Sequence, residues 1–154
     1  MSWLNTFVPI VYHGITATQV QQWVDNFAFL YARPRIPEFR VASFGDLVIA
    51  GTTVGGDLRL PITGTIIDCG CYHDTPGITG TEVIDIKLNG TTIMASVKIN
   101  VATGQKSSED GGAAQPVLTT TAYTAHDILT IDVVTPHSGT PARGLVVWIA
   151  IRET

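Results

Sequence analysis

The sequence predicts an all-β domain, an antiparallel β-sandwich or jelly roll of about eight strands, preceded by an N-terminal arm and one amphipathic helix. Three observations carry that expectation. From Phe44 onward the chain is a series of strand-length segments rich in Val, Ile and Thr, most of them separated by turn residues. Two of these segments, EVIDIKL and ILTIDVV, alternate apolar and polar residues as half-buried antiparallel strands do. Helical periodicity appears only between Thr18 and Tyr31. The expected domains are therefore 1–44 (arm, helix and Pro-rich linker) and 45–154 (sandwich).

Residues 1–15 (MSWLNTFVPIVYHGI) are apolar but interrupted by Pro9 and Gly14, so they form neither a clean helix nor a clean strand. Left bare on a monomer, Trp3, Leu4, Phe7, Val8, Ile10 and Val11 would be an aggregation hazard. They are expected to lie on a partner as a binding arm. In the next segment Thr18 and Gln21 have the spacing of a capping box. Val20, Trp23, Val24, Phe27, Leu30 and Tyr31 then recur on one helical face. That face either packs on the chain's own β domain or meets copies of itself or a host surface. The helix is expected over 17–32, because Pro34 drives the residue before it out of the α region. Pro34 and Pro37 make a stiff exit, and Arg33, Arg35 and Arg40 around them read as a solvated linker.

Strands are expected at 48–53, 58–65, 66–72, 82–88, 91–101, 117–124, 128–134 and 145–153. Asn89-Gly90 follows EVIDIKL directly and marks a two-residue hairpin, in which both positions need φ > 0. Residues 103–115 and 136–143 have the Gly/Ser/Pro content of loose excursions. The last strand breaks the alternation. Leu145, Val147, Ile149 and Ile151 form one face, but Val146, Trp148 and Ala150 make the other apolar too. A strand with two dry faces needs a second cover, so these three residues are the expected self-association interface.

Composition narrows the function classes. The chain is 45% hydrophobic and only 14% charged, against about 25% charged in ordinary soluble domains. No apolar run approaches the ~20 residues of a spanning helix, so a membrane partner is not expected. What remains is a surface hidden by other subunits. The net charge of −4 carries no nucleic-acid footprint. Met1-Ser2-Trp3-Leu4 lacks the basic start of a signal peptide. Cys69 and Cys71 stand too close together to staple a fold, which points to a reducing compartment.

The segment 68–74, Asp-Cys-Gly-Cys-Tyr-His-Asp, is the one cluster to weigh as a chemical site. On a strand Cys69, Cys71 and His73 share a face. A zinc site needs another pair of ligands that the chain does not supply. Two buried thiols beside an exposed His-Asp turn is the favoured reading, with a metal site or a strained disulfide as the alternatives. His13, His73, His126 and His137 are scattered, and no nucleophile elbow, phosphate loop or His-Glu-x-x-His motif is present. Glu82, Glu109, Asp110 and Asp132 are free carboxylates without a recognisable pairing. Tyr72, Tyr123 and Trp148 are the aromatic candidates for a carbohydrate platform. The expectation is a protein that is not an enzyme, with no cofactor and no metal.

Two stretches, GTIIDCGCYHDTPGITGTEVIDIKLNGTTI and TTTAYTAHDILTIDVVTPHSGTPARGLVVWIAI, give the region 64–152 a familiar cadence of strands and turns. That region, a little over half of the chain, resembles small β-sandwich domains in structural proteins of tailed bacteriophages. The resemblance implies a capsid decoration (cement) protein, or else a tail-fibre or baseplate component that recognises a host-surface glycan. Such domains commonly form trimers. It thus implies a homotrimer on the virion capsid surface, made in the host cytoplasm, with the major capsid protein or another virion protein as partner. The family has no fixed set of functional residues, and only the architecture carries over. No heptads persist to form a fibre shaft, which favours the decoration role.

Overall fold

The computed structural model describes residues 17–31 and 34–153, except for the side chains of residues 17 and 26–31. The arm residues Trp3, Leu4, Phe7, Val8, Ile10 and Val11, and the side chains of Phe27, Leu30 and Tyr31, lie outside the described residues. The chain divides into two compact units, Met1–Arg33 and Pro34–Thr154.

The first unit contains α1 (Ala17–Tyr31). Its start corrects the expected cap. Thr18 lies inside the helix, and the Gln21 amide donates forward to Asp25 Oδ1 at 2.8 Å rather than back toward Thr18. This is the ordinary i,i+4 pairing of neighbours on one helix face.

The second unit is an all-β sandwich of two antiparallel sheets. Its strands are β1 (Glu38–Arg40), β2 (Leu58–Arg59), β3 (Gly64–Thr75), β4 (Glu82–Leu88), β5 (Thr91–Thr92), β6 (Ile99–Val101), β7 (Ala122–Tyr123), β8 (Ile128–Thr135) and β9 (Arg143–Glu153). The first sheet runs β1-β9-β3-β7; the second runs β2-β8-β4-β5, with β6 also paired to β4. The Asn89-Gly90 turn joins β4 to β5 as expected, with φ of 50° and 81° at its two positions. Period-2 patterning decides the faces. Ile84, Ile86, Leu129, Ile131 and Val133 of the second sheet are buried inward. They meet Ile66, Cys69, Cys71, Leu145, Val147 and Ile149 of the first. Each buried Ile or Leu contributes about 1.5–3 kcal/mol, so this inner face holds the two sheets together.

The expected boundary at 44/45 moves to Pro34. Residues 34–44, read as a linker, form the edge of the first sheet: Arg35 exchanges both backbone bonds with Ile151, and Glu38, Phe39 and Arg40 pair with Trp148, Val147 and Val146. Pro37 accepts a bond from the Ile149 N–H at 3.1 Å and has no N–H to return. An edge strand tolerates that loss, whereas a central one does not. The loop 103–115 is also less loose than its composition suggests. The Lys106 carbonyl accepts from the His73 N–H at 2.7 Å, and the Ser108 N–H donates to the Cys71 carbonyl at 3.1 Å. Its middle therefore lies along the free edge of β3.

Candidate functional site

On the outer face of the first sheet, cross-strand registry sets Tyr72 beside Val146, Gly70 beside Trp148, and Asp68 beside Ala150. A Cβ on Gly70 would lie 2.5 Å from Trp148 Cζ2 and 2.8 Å from Ser108 Oγ. The indole therefore lies down across Gly70, in space that only a glycine leaves open. Trp148 stays partly exposed, while Val146 and Ala150 are 2% and 7% exposed. Of the three residues assigned to self-association, Trp148 alone presents surface for a partner. The second cover demanded by the two-faced strand is partly supplied within the domain.

A different apolar surface went unread in the sequence. Residues 44–51 cross from one sheet to the other. The Val48 N–H donates to Ala142 at 2.9 Å, and Gly51 exchanges bonds with Val133 at 3.0 and 2.9 Å. Alternation along this segment points Val48 inward at 1% exposure and turns Leu47 and Ile49 outward at 46% and 68%. Phe44, at the turn closed by Asp46 N–H to Ser43 O, is 82% exposed, and Val134 on the adjoining strand is 50% exposed. A groove of 560 Å³ lined by Ala50, Gly51, Thr52, Asp132, Val133 and Val134 runs beside them. Natural edges of this kind are usually blunted by Lys or Pro. Here Asp46 is the one charged side chain between Gly45 and Gly51. The usable signal was Leu47 and Ile49 at alternate positions, but periodicity alone does not say which parity faces in.

In α1 the apolar residues Val20, Trp23 and Val24 are 48%, 56% and 54% exposed. No helix among the described residues is long and apolar enough to cross a membrane.

The 68–74 cluster is interior. Cys69 and Cys71 are free and buried. Burial, with Asp68 adding, pushes the Cys69 thiol up to about 12, and burial followed by the nearby Glu82 charge raises Cys71 as well. Neither thiol is a nucleophile at neutral pH. The expected exposed His-Asp turn needs correction, because His73 faces inward from β3 and its Nε2 lies 2.8 Å from Glu82 Oε1, both side chains fully buried. Glu82 sits at the start of β4 in the opposite sheet, so the pair clamps the two layers. Among the described residues no three His, Cys, Asp or Glu side chains gather as metal ligands.

The remaining carboxylates are dispersed. Asp132 contacts Lys87 at 2.5 Å and accepts from the Thr53 N–H at 2.8 Å. Its neighbour Asp85 pairs with Lys98 and accepts from the Thr92 hydroxyl at 2.6 Å. Asp110 accepts from the Lys106 and Ser107 N–H groups and shapes the loop that also carries Glu109. His126 occupies a turn at φ 77°, and buried His137 has its Nδ1 3.1 Å from the Gly80 carbonyl. The Thr92 hydroxyl on Asp85 is tied into the Asp85–Lys98 pair, and the large apolar side chains left exposed are the more distinctive surface.

No protein-family model, curated protein or solved structure matches this chain.

Proposed function

We propose that this chain is a non-enzymatic structural protein that self-associates and attaches to a larger particle, as a phage-type capsid decoration protein does. The observation that carries the reading is the bare apolar edge of Phe44, Leu47, Ile49 and Val134. Monomeric proteins seldom leave such a patch uncovered. The low charged fraction and the exposed Val20, Trp23 and Val24 agree with it. In this reading the sandwich knobs associate as a homotrimer through the 44–51 edge, with Trp148 contributing its exposed rim. The arm Trp3 to Val11 binds the major capsid protein on the virion surface. Buried interface, at roughly 25 cal/mol per Å², would then brace neighbouring shell subunits against the pressure of packaged DNA.

A glycan-recognising tail component is the second reading. It is favoured by Tyr72 and Trp148, two partly exposed aromatic side chains on one outer sheet face. Co-sedimentation of purified chain with undecorated capsids tests the first reading. Binding that disappears on deleting residues 1–15 supports it. Intact 154-residue chain that ignores capsids but binds a glycan array instead supports the second.

A further inference from the structure

The Asn89-Gly90 turn joins β4 to β5 at an exposed corner of the second sheet. Both positions are left-handed, and a Cβ added to Gly90 would meet nothing within 4 Å. An asparagine followed by glycine carries chemistry of its own. The backbone nitrogen of the second residue can attack the side-chain carbonyl carbon of the first, and glycine, lacking a side chain, hinders that approach least. Among the described residues the Gly90 N–H donates to no acceptor.

The Asn89 side chain, in contrast, is clasped at both ends. Its Nδ2 donates to Asp127 Oδ1 at 2.8 Å, and its Oδ1 accepts from the Ile128 N–H at 2.9 Å. The Asn89 N–H donates to the Ile128 carbonyl at 2.8 Å, so three bonds tie the hairpin to the start of β8. The Asn89 amide, followed by the Thr124 N–H, holds the Asp127 carboxyl below its usual range. Asp127 is therefore ionised at neutral pH and keeps accepting. Closing a ring onto Gly90 requires the Asn89 side chain to turn away from both partners.

We propose that Asn89 is a self-modification site timed by this clasp: when the clasp opens, the Gly90 nitrogen bonds to Asn89 Cγ and ammonia leaves. The Gly90 proton passes through water to the departing nitrogen as its bond to Cγ breaks. Water then opens the succinimide at either carbonyl, leaving aspartate or isoaspartate. Either product replaces the amide donor with a second carboxylate near Asp127, and isoaspartate also lengthens the turn backbone by one carbon. The hairpin thereby loosens from β8. The site is independent of the assembly reading.

Trypsin cuts after Lys87 and Lys98, so the peptide 88–98 holds Asn89 as its single amide side chain. Mass spectrometry of that peptide, after incubation of the intact chain at neutral pH, reads the conversion. Chain held unfolded in urea should convert at least about tenfold faster than folded chain, the worth of the two side-chain bonds. Asp127→Ala, shown to be folded by protection of its thiols from alkylation, should convert roughly three- to tenfold faster than the parent. Asn89→Asp imitates the product and does not rely on that variant. Its unfolding midpoint should fall below the parent's at neutral pH, and adding Asp127→Asn should recover part of the loss by removing one of the two facing charges. Equal conversion in folded and unfolded chain would overturn the proposal. So would folded Asp127→Ala converting no faster than the parent, or an Asn89→Asp midpoint equal to the parent's.

Discussion

Gly70 is held to its identity by a neighbour, since Trp148 and Ser108 fill the volume that any side chain would need. Gly70→Ala should cost about 1–3 kcal/mol, the usual penalty of overpacking. The same substitution in a Trp148→Ala background should cost much less, and denaturant midpoints of the four proteins of that cycle measure the coupling. Glu82 and His73 form a second residue-scale constraint. Removing one partner leaves the other buried and uncompensated, so Glu82→Ala should destabilise by about 3–5 kcal/mol in equilibrium unfolding. Neither constraint was legible in the sequence. Gly70 and Trp148 lie 78 positions apart (148 − 70), and the His73–Glu82 pair joins opposite sheets without any signature spacing. The thiols were better anticipated as buried: Cys69 and Cys71 should resist alkylation in the folded protein and react fully in denaturant. Asp132 supplies a pH dependence. Burial raises its pKa, but the Lys87 contact and the Thr53 N–H outweigh that and lower it overall. A carboxylate with a depressed folded pKa stabilises above its unfolded pKa, near 3.8, and that contribution is lost as pH falls through the folded value. Asp132→Asn should flatten stability in that acid window, as read from unfolding at stepped pH.

Among the elements, α1, β4, β8 and β9 follow from their patterns almost to the residue. Long periodic segments state both type and face. Gly90 at φ 81° completes the hairpin that Asn89-Gly90 announces, and Gly90→Ala should cost about 1–2 kcal/mol for forcing a side chain into the left-handed region. Irregular edges were harder to see. Pro34 and Pro37 disguise β1 as a linker, because a proline-bearing edge strand and a stiff connector share the same composition. The 44–51 crossing hides its outward parity for the reason given above, and its exposure is a tertiary property. Combined Leu47→Lys and Ile49→Lys changes should weaken self-association while leaving unfolding midpoints close to those of the parent, since both side chains already face solvent.

For the whole molecule, sandwich architecture was readable from composition and turn spacing, whereas function was not, because no chemical motif stands in the chain. The chain has a charged fraction of only 14% and exposes large apolar side chains on the sandwich edge and on the helix. Under the proposed reading, another copy of the chain covers both. Light scattering behind a sizing column on the full chain, taken over a range of concentrations, tests that most directly. A closed oligomer is expected, three copies of the 16.5 kDa chain, with the Leu47/Ile49 lysine variant shifted toward monomer. A parent chain that remains monomeric and soluble at every concentration would contradict it.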